Sequence, residues 1–150
     1  MIKHALTSFL FFGLATTTQA EPRYAVQATF AGVGIGTATA LNKKGQLAGY
    51  YEDAFGDDSG AITETGFLYS QGTVRAFDPD PTSYFKAVRP TGINDAGMVV
   101  GNCWRFPFLY QDGVVTDLRA ASGGKLDGAV AINNRGQIAG GRRSGGGIAR

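Results

Sequence analysis

Short runs of apolar residues alternate with polar ones between Ala38 and Gly141, and glycine or asparagine interrupts them at close intervals. No stretch holds the helical apolar period for more than a turn or two, so the pattern predicts short strands joined by tight turns. Three segments share one frame: ATALNKKGQLAGY from Ala38 to Tyr50, RPTGINDAGMVVG from Arg89 to Gly101, and AVAINNRGQIAGG from Ala129 to Gly141. In each, an apolar residue precedes an asparagine, and the frame Asn-x-x-Gly follows: Asn42 with Gly45, Asn94 with Gly97, Asn133 with Gly136. Asparagine and glycine reach positive φ at the lowest cost, so these six residues are assigned as structural turn residues of three hairpins. A second glycine at Gly49, Gly101 or Gly140 closes the next strand and predicts a bend or a close backbone contact.

A second element follows the first two copies: TGFLYSQGTVRAF from Thr65 to Phe77 and FPFLYQDGVVTDL from Phe106 to Leu118. Phe-Leu-Tyr reads as a strand, Ser70-Gln71-Gly72 or Gln111-Asp112-Gly113 as a turn, and Thr-Val-Arg-Ala-Phe or Val-Val-Thr-Asp-Leu as the returning strand. Large apolar groups on both faces of Phe-Leu-Tyr predict sheets packed on both sides. Leu41, Ile93 and Ile132 set spacings of 52 and 39 residues. Four-stranded units with a period of about 40 to 50 residues are the blades of β-propellers. The expected fold is therefore all-β, with tandem four-stranded antiparallel units forming an incomplete propeller-like repeat. Its units span approximately residues 38–77, 87–118 and 129–141 within a domain of residues 21–141, and residues 142–150 form a flexible Gly/Arg tail. The third unit lacks its second hairpin, so one chain cannot close a ring of four or more blades. Tyr24 to Phe30 reads as an isolated strand able to complete a unit.

The start of the chain, MIKHALTSFLFFGLATTTQA, places Lys3 and His4 before an apolar run from Ala5 to Ala15 and small residues up to Ala20. This is the layout of a secretory signal, and it is too short and interrupted for the roughly 20 residues of a membrane span. Cleavage is expected after Ala20, giving an exported product that is periplasmic, surface-bound or secreted. Removing 20 of the 150 residues leaves 130, enough for one small core. The whole chain has 14 basic and 12 acidic side chains, and this near balance gives no electrostatic footprint for nucleic acid or for an anionic membrane. Cys103 is the single cysteine, so no intramolecular disulfide is expected, and Trp104 and Phe106 beside it point to a partly buried thiol.

The pattern Ala-x-x-Ile-Asn-x-x-Gly-Gln-Ile-x-Gly followed by Gly-Phe-Leu-Tyr-x-x-Gly resembles the HAF-type extracellular repeats of bacteria. INNRGQIAGG, LNKKGQLAGYYEDAFGDDSG and GFLYSQGTVRAFDPDP carry the resemblance, which extends over Tyr24 to Gly141. It implies an exported, propeller-like repeat protein without an established enzymatic activity, and it supplies no catalytic residues. Met98-Val99 departs from the usual Gln-Ile, and the third repeat is unfinished.

The only histidine, His4, leaves with the signal. A mature chain without histidine excludes Ser-His-Asp and Cys-His nucleophile systems and His-liganded metals. Glu52, Asp53, Asp57, Asp58, Glu64, Asp78 and Asp80 are expected on loops, where paired carboxylates could serve glycoside hydrolysis. Asp53, Asp57, Asp58 and Ser59 could offer oxygen ligands to calcium, although their spacing matches no calcium loop motif, and a solvated acidic loop is the default. Gly32-Val33-Gly34-Ile35-Gly36 lacks the following helix and lysine of a phosphate loop and reads as a link. Tyr50, Tyr51, Tyr84 and Trp104 could form a sugar-stacking surface, with a role in the core preferred.

The expectation is a non-catalytic exported β-repeat module, without cofactor or metal, that interacts with a protein or a surface glycan. The alternatives are a carbohydrate-binding or carbohydrate-active protein using loop carboxylates and aromatics, and a truncated repeat-protein gene product. Self-association into a homo-oligomer is expected from the unfinished unit, which leaves an edge and apolar surface exposed. Nucleic acid is not expected as a partner, nor is a membrane for the mature form.

Overall fold

The computed structural model describes residues 36–52, 63–84 and 86–142. The signal segment, the strand expected at Tyr24 to Phe30, the loop holding Asp53, Asp57, Asp58 and Ser59, and most of the Gly/Arg tail lie outside the described residues.

Ten strands form two four-stranded antiparallel sheets and a hairpin, and they close into neither a barrel nor a propeller. The first sheet runs β1 (Gly36–Leu41), β2 (Leu47–Glu52), β3 (Glu64–Ser70) and β4 (Thr73–Phe77), in that spatial order. The second repeats it with β5 (Val88–Ile93), β6 (Val99–Cys103), β7 (Pro107–Gln111) and β8 (Val114–Asp117). The third unit is the hairpin β9 (Gly128–Ile132) and β10 (Ile138–Gly141). Strand β5 packs on β1, β2 and β3, and β9 packs on β5 and β6, so the units stack face to face.

One expectation is corrected at the end of the second sheet. Val-Val-Thr-Asp-Leu predicts a strand through Leu118, but β8 ends at Asp117 and a single turn of helix, α1 (Leu118–Ala121), follows. The Asp117 carboxylate accepts from the backbone N–H groups of Arg119 at 2.7 Å and Ala120 at 3.0 Å. This cap starts the turn and carries Leu118 into the space between the second sheet and the hairpin.

The core consists of two inter-unit layers. Between the first and second units lie Ala48, Phe77, Val88, Ile93, Val99, Phe108 and Tyr110. Phe77 stacks on Tyr110 with ring centroids 4.2 Å apart and meets Phe108 edge-on at 5.7 Å. Between the second unit and the hairpin lie Val100, Leu118 and Ala129, flanked by Leu109, Leu126, Ile132 and Ile138. Among the described residues, the middle sheet is the one packed on both faces, since both layers border it.

The glycine that closes the second strand has a packing reason. Gly101 lies opposite Phe108 in the β6–β7 pair, and a Cβ there would sit 2.7 Å from Phe108 Cζ and collide with the Arg89 carbonyl. Gly49 lies in the same way opposite Phe67 and beneath its ring. In the third unit, where the described residues include no second hairpin, Leu126 takes the place of the aromatic ring over Gly140. Each first hairpin also carries a bulge in its first strand, at Thr39, Thr91 and Val130, one residue outside the regular pairing. Replacing Gly101 by Val should destabilise the fold by about 2 kcal/mol or more, because neither the Arg89 backbone nor the buried Phe108 ring can yield. Urea denaturation measures this, and an unchanged midpoint would contradict the close packing.

Candidate interaction surface

All three Asn-x-x-Gly segments form the same turn. The N–H of the glycine donates to the carbonyl of the asparagine (Gly45 to Asn42, 3.1 Å; Gly97 to Asn94, 3.0 Å; Gly136 to Asn133, 3.0 Å). Gly45, Gly97 and Gly136 have φ of 75°, 80° and 76°, the left-handed conformation that follows a type I turn in such a hairpin. The asparagine side chain holds the loop from within. Asn42 Oδ1 accepts from the N–H groups of Lys44 and Gln46, Asn94 Oδ1 from Ala96 and Met98, and Asn133 Oδ1 from Arg135 and Gln137.

With Oδ1 facing inward, the Nδ2 groups of Asn42 and Asn94 face the next unit. Asn42 Nδ2 donates to the Asn94 carbonyl at 2.8 Å, 52 residues away, and Asn94 Nδ2 donates to the Asn133 carbonyl at 3.2 Å, 39 residues away. The three turns are thereby joined into an asparagine ladder. Asn42 and Asn94 are buried, at 9% and 3% exposure, whereas Asn133 is exposed. The residue after each asparagine adds an outer row. Lys43 N–H donates to Asp95 Oδ1 at 3.1 Å, Asp95 N–H donates to Asn134 Oδ1 at 2.8 Å, and Asn134 Nδ2 returns a bond to Asp95 Oδ2 at 2.6 Å.

The remaining amide proton of each asparagine explains the Met98 departure. Gln46 Oε1 and Gln137 Oε1 accept from Asn42 and Asn133 Nδ2 at 2.6 and 2.7 Å, and Met98 Sδ takes that place for Asn94 at 3.3 Å. A thioether is a weaker acceptor but still accepts, so the turn is kept.

A different set of residues ties the opposite ends of the strands. Glu64 was expected on a loop among other acids, but it lies within β3 at 2% exposure. Its carboxylate pairs with the Arg89 guanidinium and accepts the Val88 N–H at 3.1 Å, while its own N–H donates to the Lys86 carbonyl at 2.9 Å. Arg89 in turn lies 4.0 Å over the ring of Tyr50. Asn102 performs the same office for the third unit, donating to and accepting from the Ala129 backbone at 2.9 Å in both bonds.

Glu52, also expected on a loop, is the last residue of β2, while Asp78 and Asp80 are engaged in local contacts. Asp78 pairs with Lys86 at 2.6 Å, and Asp80 accepts from Thr82 Oγ1 at 2.9 Å. Asp80 Oδ2 is buried without a hydrogen bond, with the Arg105 guanidinium 3.7 Å away, within ion-pair range but beyond hydrogen-bond reach. Among the described residues no three His, Cys, Asp or Glu side chains gather as a metal site would require.

The preference for core aromatics fails for two residues: Trp104 is 67% exposed and Tyr84 is 60% exposed. Trp104 borders a groove of about 460 Å³ between the second sheet and the third hairpin, lined also by Cys103, Arg105, Arg119, Asp127 and Arg142. Arg119 and Asp127 form an ion pair at 3.2 Å. The Cys103 thiol is half-buried and donates to the Phe106 carbonyl at 3.2 Å. Burial pushes its pKa above the ordinary thiol value, the nearby Asp80 and Asp117 charges add to the rise, and hydrogen bonds with the Phe106 and Arg105 backbone oppose it.

No family model, no curated protein and no solved structure matches this chain.

Alanine at the three asparagines should rank by burial. Asn94→Ala and Asn42→Ala should each cost about 2 kcal/mol or more in urea denaturation, since each leaves partly buried backbone donors unpaired and removes a bond between units, and Asn133→Ala should cost about 1 kcal/mol or less. Equal losses at all three positions would contradict the ladder. Alkylation of Cys103 by iodoacetamide should be slower than that of an unstructured peptide thiol at pH 8 and should rise only above the ordinary thiol pKa. The raised pKa also works against stability in alkali: the unfolded thiol deprotonates first, so the contribution of Cys103 is present below its unfolded pKa and is lost as pH rises through its folded value.

Proposed function

We propose that the chain is an exported, non-catalytic β-repeat module of the HAF type that acts by binding a protein or a surface glycan. The observation that carries this reading is the use made of its repeated polar residues. Asn42, Asn94 and Asn133, the residues that recur in every unit, direct their side chains to turn backbones and to one another. The buried carboxylate of Glu64 is likewise engaged in holding two units together. Polar groups repeated in this way build a scaffold, and the surfaces left over at its ends and grooves are free for partners. Export rests on the signal layout of residues 1–20, with cleavage near Ala20.

A second reading, carbohydrate binding, is favoured by one observation. The exposed Trp104 beside the groove offers an apolar ring with polar neighbours, Arg105 and Asp127, suited to a sugar face and its hydroxyls.

Turnover assays on common polysaccharides and a glycan array test both readings. The expected result is no turnover, and any glycan bound should be lost with Trp104→Ala. Reproducible turnover abolished by changing Asp57 or Asp58 would overturn the non-catalytic reading. N-terminal sequencing of the exported product should begin at Glu21.

A further inference from the structure

The ladder has a direction. In both junctions the upstream asparagine gives its Nδ2 hydrogen to the downstream asparagine carbonyl, and the N–H of the following residue donates to the downstream side chain at that same position. A downstream turn therefore needs an asparagine carbonyl and, one residue later, a side-chain acceptor. Asp95 and Asn134 supply that acceptor. Lys43, on the first turn, carries no acceptor and receives no such bond in the described structure.

The third unit presents the donor end of this arrangement outward. Among the described residues, Asn133 Nδ2 bonds within its own turn to Gln137 but to no further carbonyl, and the Asn134 N–H meets no side chain of a following unit. Beside the exposed turn lies a depression of about 250 Å³ lined by Ala131, Ile132, Ile138 and Ala139 together with Asn133 and Gln137. The same surface thus pairs apolar area with the hydrogen-bond donors that join the first two junctions.

We infer that the free face of the β9–β10 hairpin is a docking surface for one more repeat unit, offered by a separate chain, whose turn carries asparagine followed by aspartate or asparagine. This rests on the reading of the protein as a binding module and names its partner class. Such docking would continue the two interfaces already formed within the chain, which use one hydrogen-bond rule. The same rule disfavours a second copy of this chain as the occupant. Its open turn is Asn42-Lys43-Lys44, in which Lys43 cannot accept the Asn134 N–H and Lys44 would be brought to Arg135 by the register of the ladder.

The probe is the mature chain carrying Lys43→Asp and Asn133→Ala, which offers an acceptor turn while its own third-unit donor is removed. Both positions are exposed, and thermal denaturation of the probe should show the same cooperative unfolding as a check on its fold. Titrated with the wild-type chain in sedimentation and calorimetry, it should form a 1:1 complex at least ten-fold tighter than the chain carrying Asn133→Ala alone. Wild-type chain without probe should remain monomeric over the same concentrations. Absence of a complex with the folded probe would overturn the docking surface. Equal binding by the chain that keeps Lys43, or a complex that survives Asn133→Ala in both partners, would overturn the turn rule. Glycan and turnover assays are independent of these outcomes, so a catalytic activity would defeat the module reading without being mistaken for failure of docking.

Discussion

The structure depends on a side-chain amide that serves two turns at once. An asparagine at the head of the first hairpin of each unit has a carbonyl oxygen and an NH2 group pointing in opposite directions, and at Asn42 and Asn94 the fold uses both, the NH2 group to join units. The oxygen gathers two N–H groups of its own loop, which fixes the turn, and this orientation leaves the nitrogen to reach the neighbouring unit. Turn formation and unit stacking are therefore one event. A buried amide left unpaired would cost about 1–3 kcal/mol, so Asn42 and Asn94 penalise any register other than the observed one.

Two ties per junction convert a stack of small sheets into a defined assembly. A four-stranded sheet with apolar side chains on both faces cannot bury them alone, and stacking supplies the second surface. The ladder fixes one end of each junction, and Glu64 with Arg89, or Asn102 with the Ala129 backbone, fixes the other. Between the ties lie the aromatic stack of Phe77 and Tyr110 and the layer around Val100. The closing glycines let the Phe67 and Phe108 rings lie across the neighbouring strand of their own sheets, over Gly49 and Gly101.

Strands, turns and unit count were legible because they follow from local spacing. Asn-x-x-Gly, Gln71-Gly72 and Asp112-Gly113 are short-range signals, and the last two place both central turn residues at positive φ, as a two-residue hairpin loop demands. What the sequence did not disclose comes from contacts between distant residues. Nothing local in Asn42 announces a bond to a carbonyl 52 residues away, although the recurrence of asparagine at one position was its trace. Glu64 passes for a loop acid until Arg89 is placed beside it. Trp104 passes for a core aromatic by residue type alone, but it sits in the connection between β6 and β7, where its ring is exposed. The bulge at Thr39 leaves no residue signature, since only alanines flank it, whereas Pro90 and Gly92 do flank the one at Thr91.

The central claim is that the side-chain amides of Asn42 and Asn94 span two units while that of Asn133 faces solvent. Hydrogen exchange of the three Nδ2 groups, followed by nuclear magnetic resonance on the mature chain, measures this without altering the protein. The account predicts slow exchange at Asn42 and Asn94, close to that of the surrounding backbone, and fast exchange at Asn133. Three amides exchanging alike at the solvent rate would contradict it.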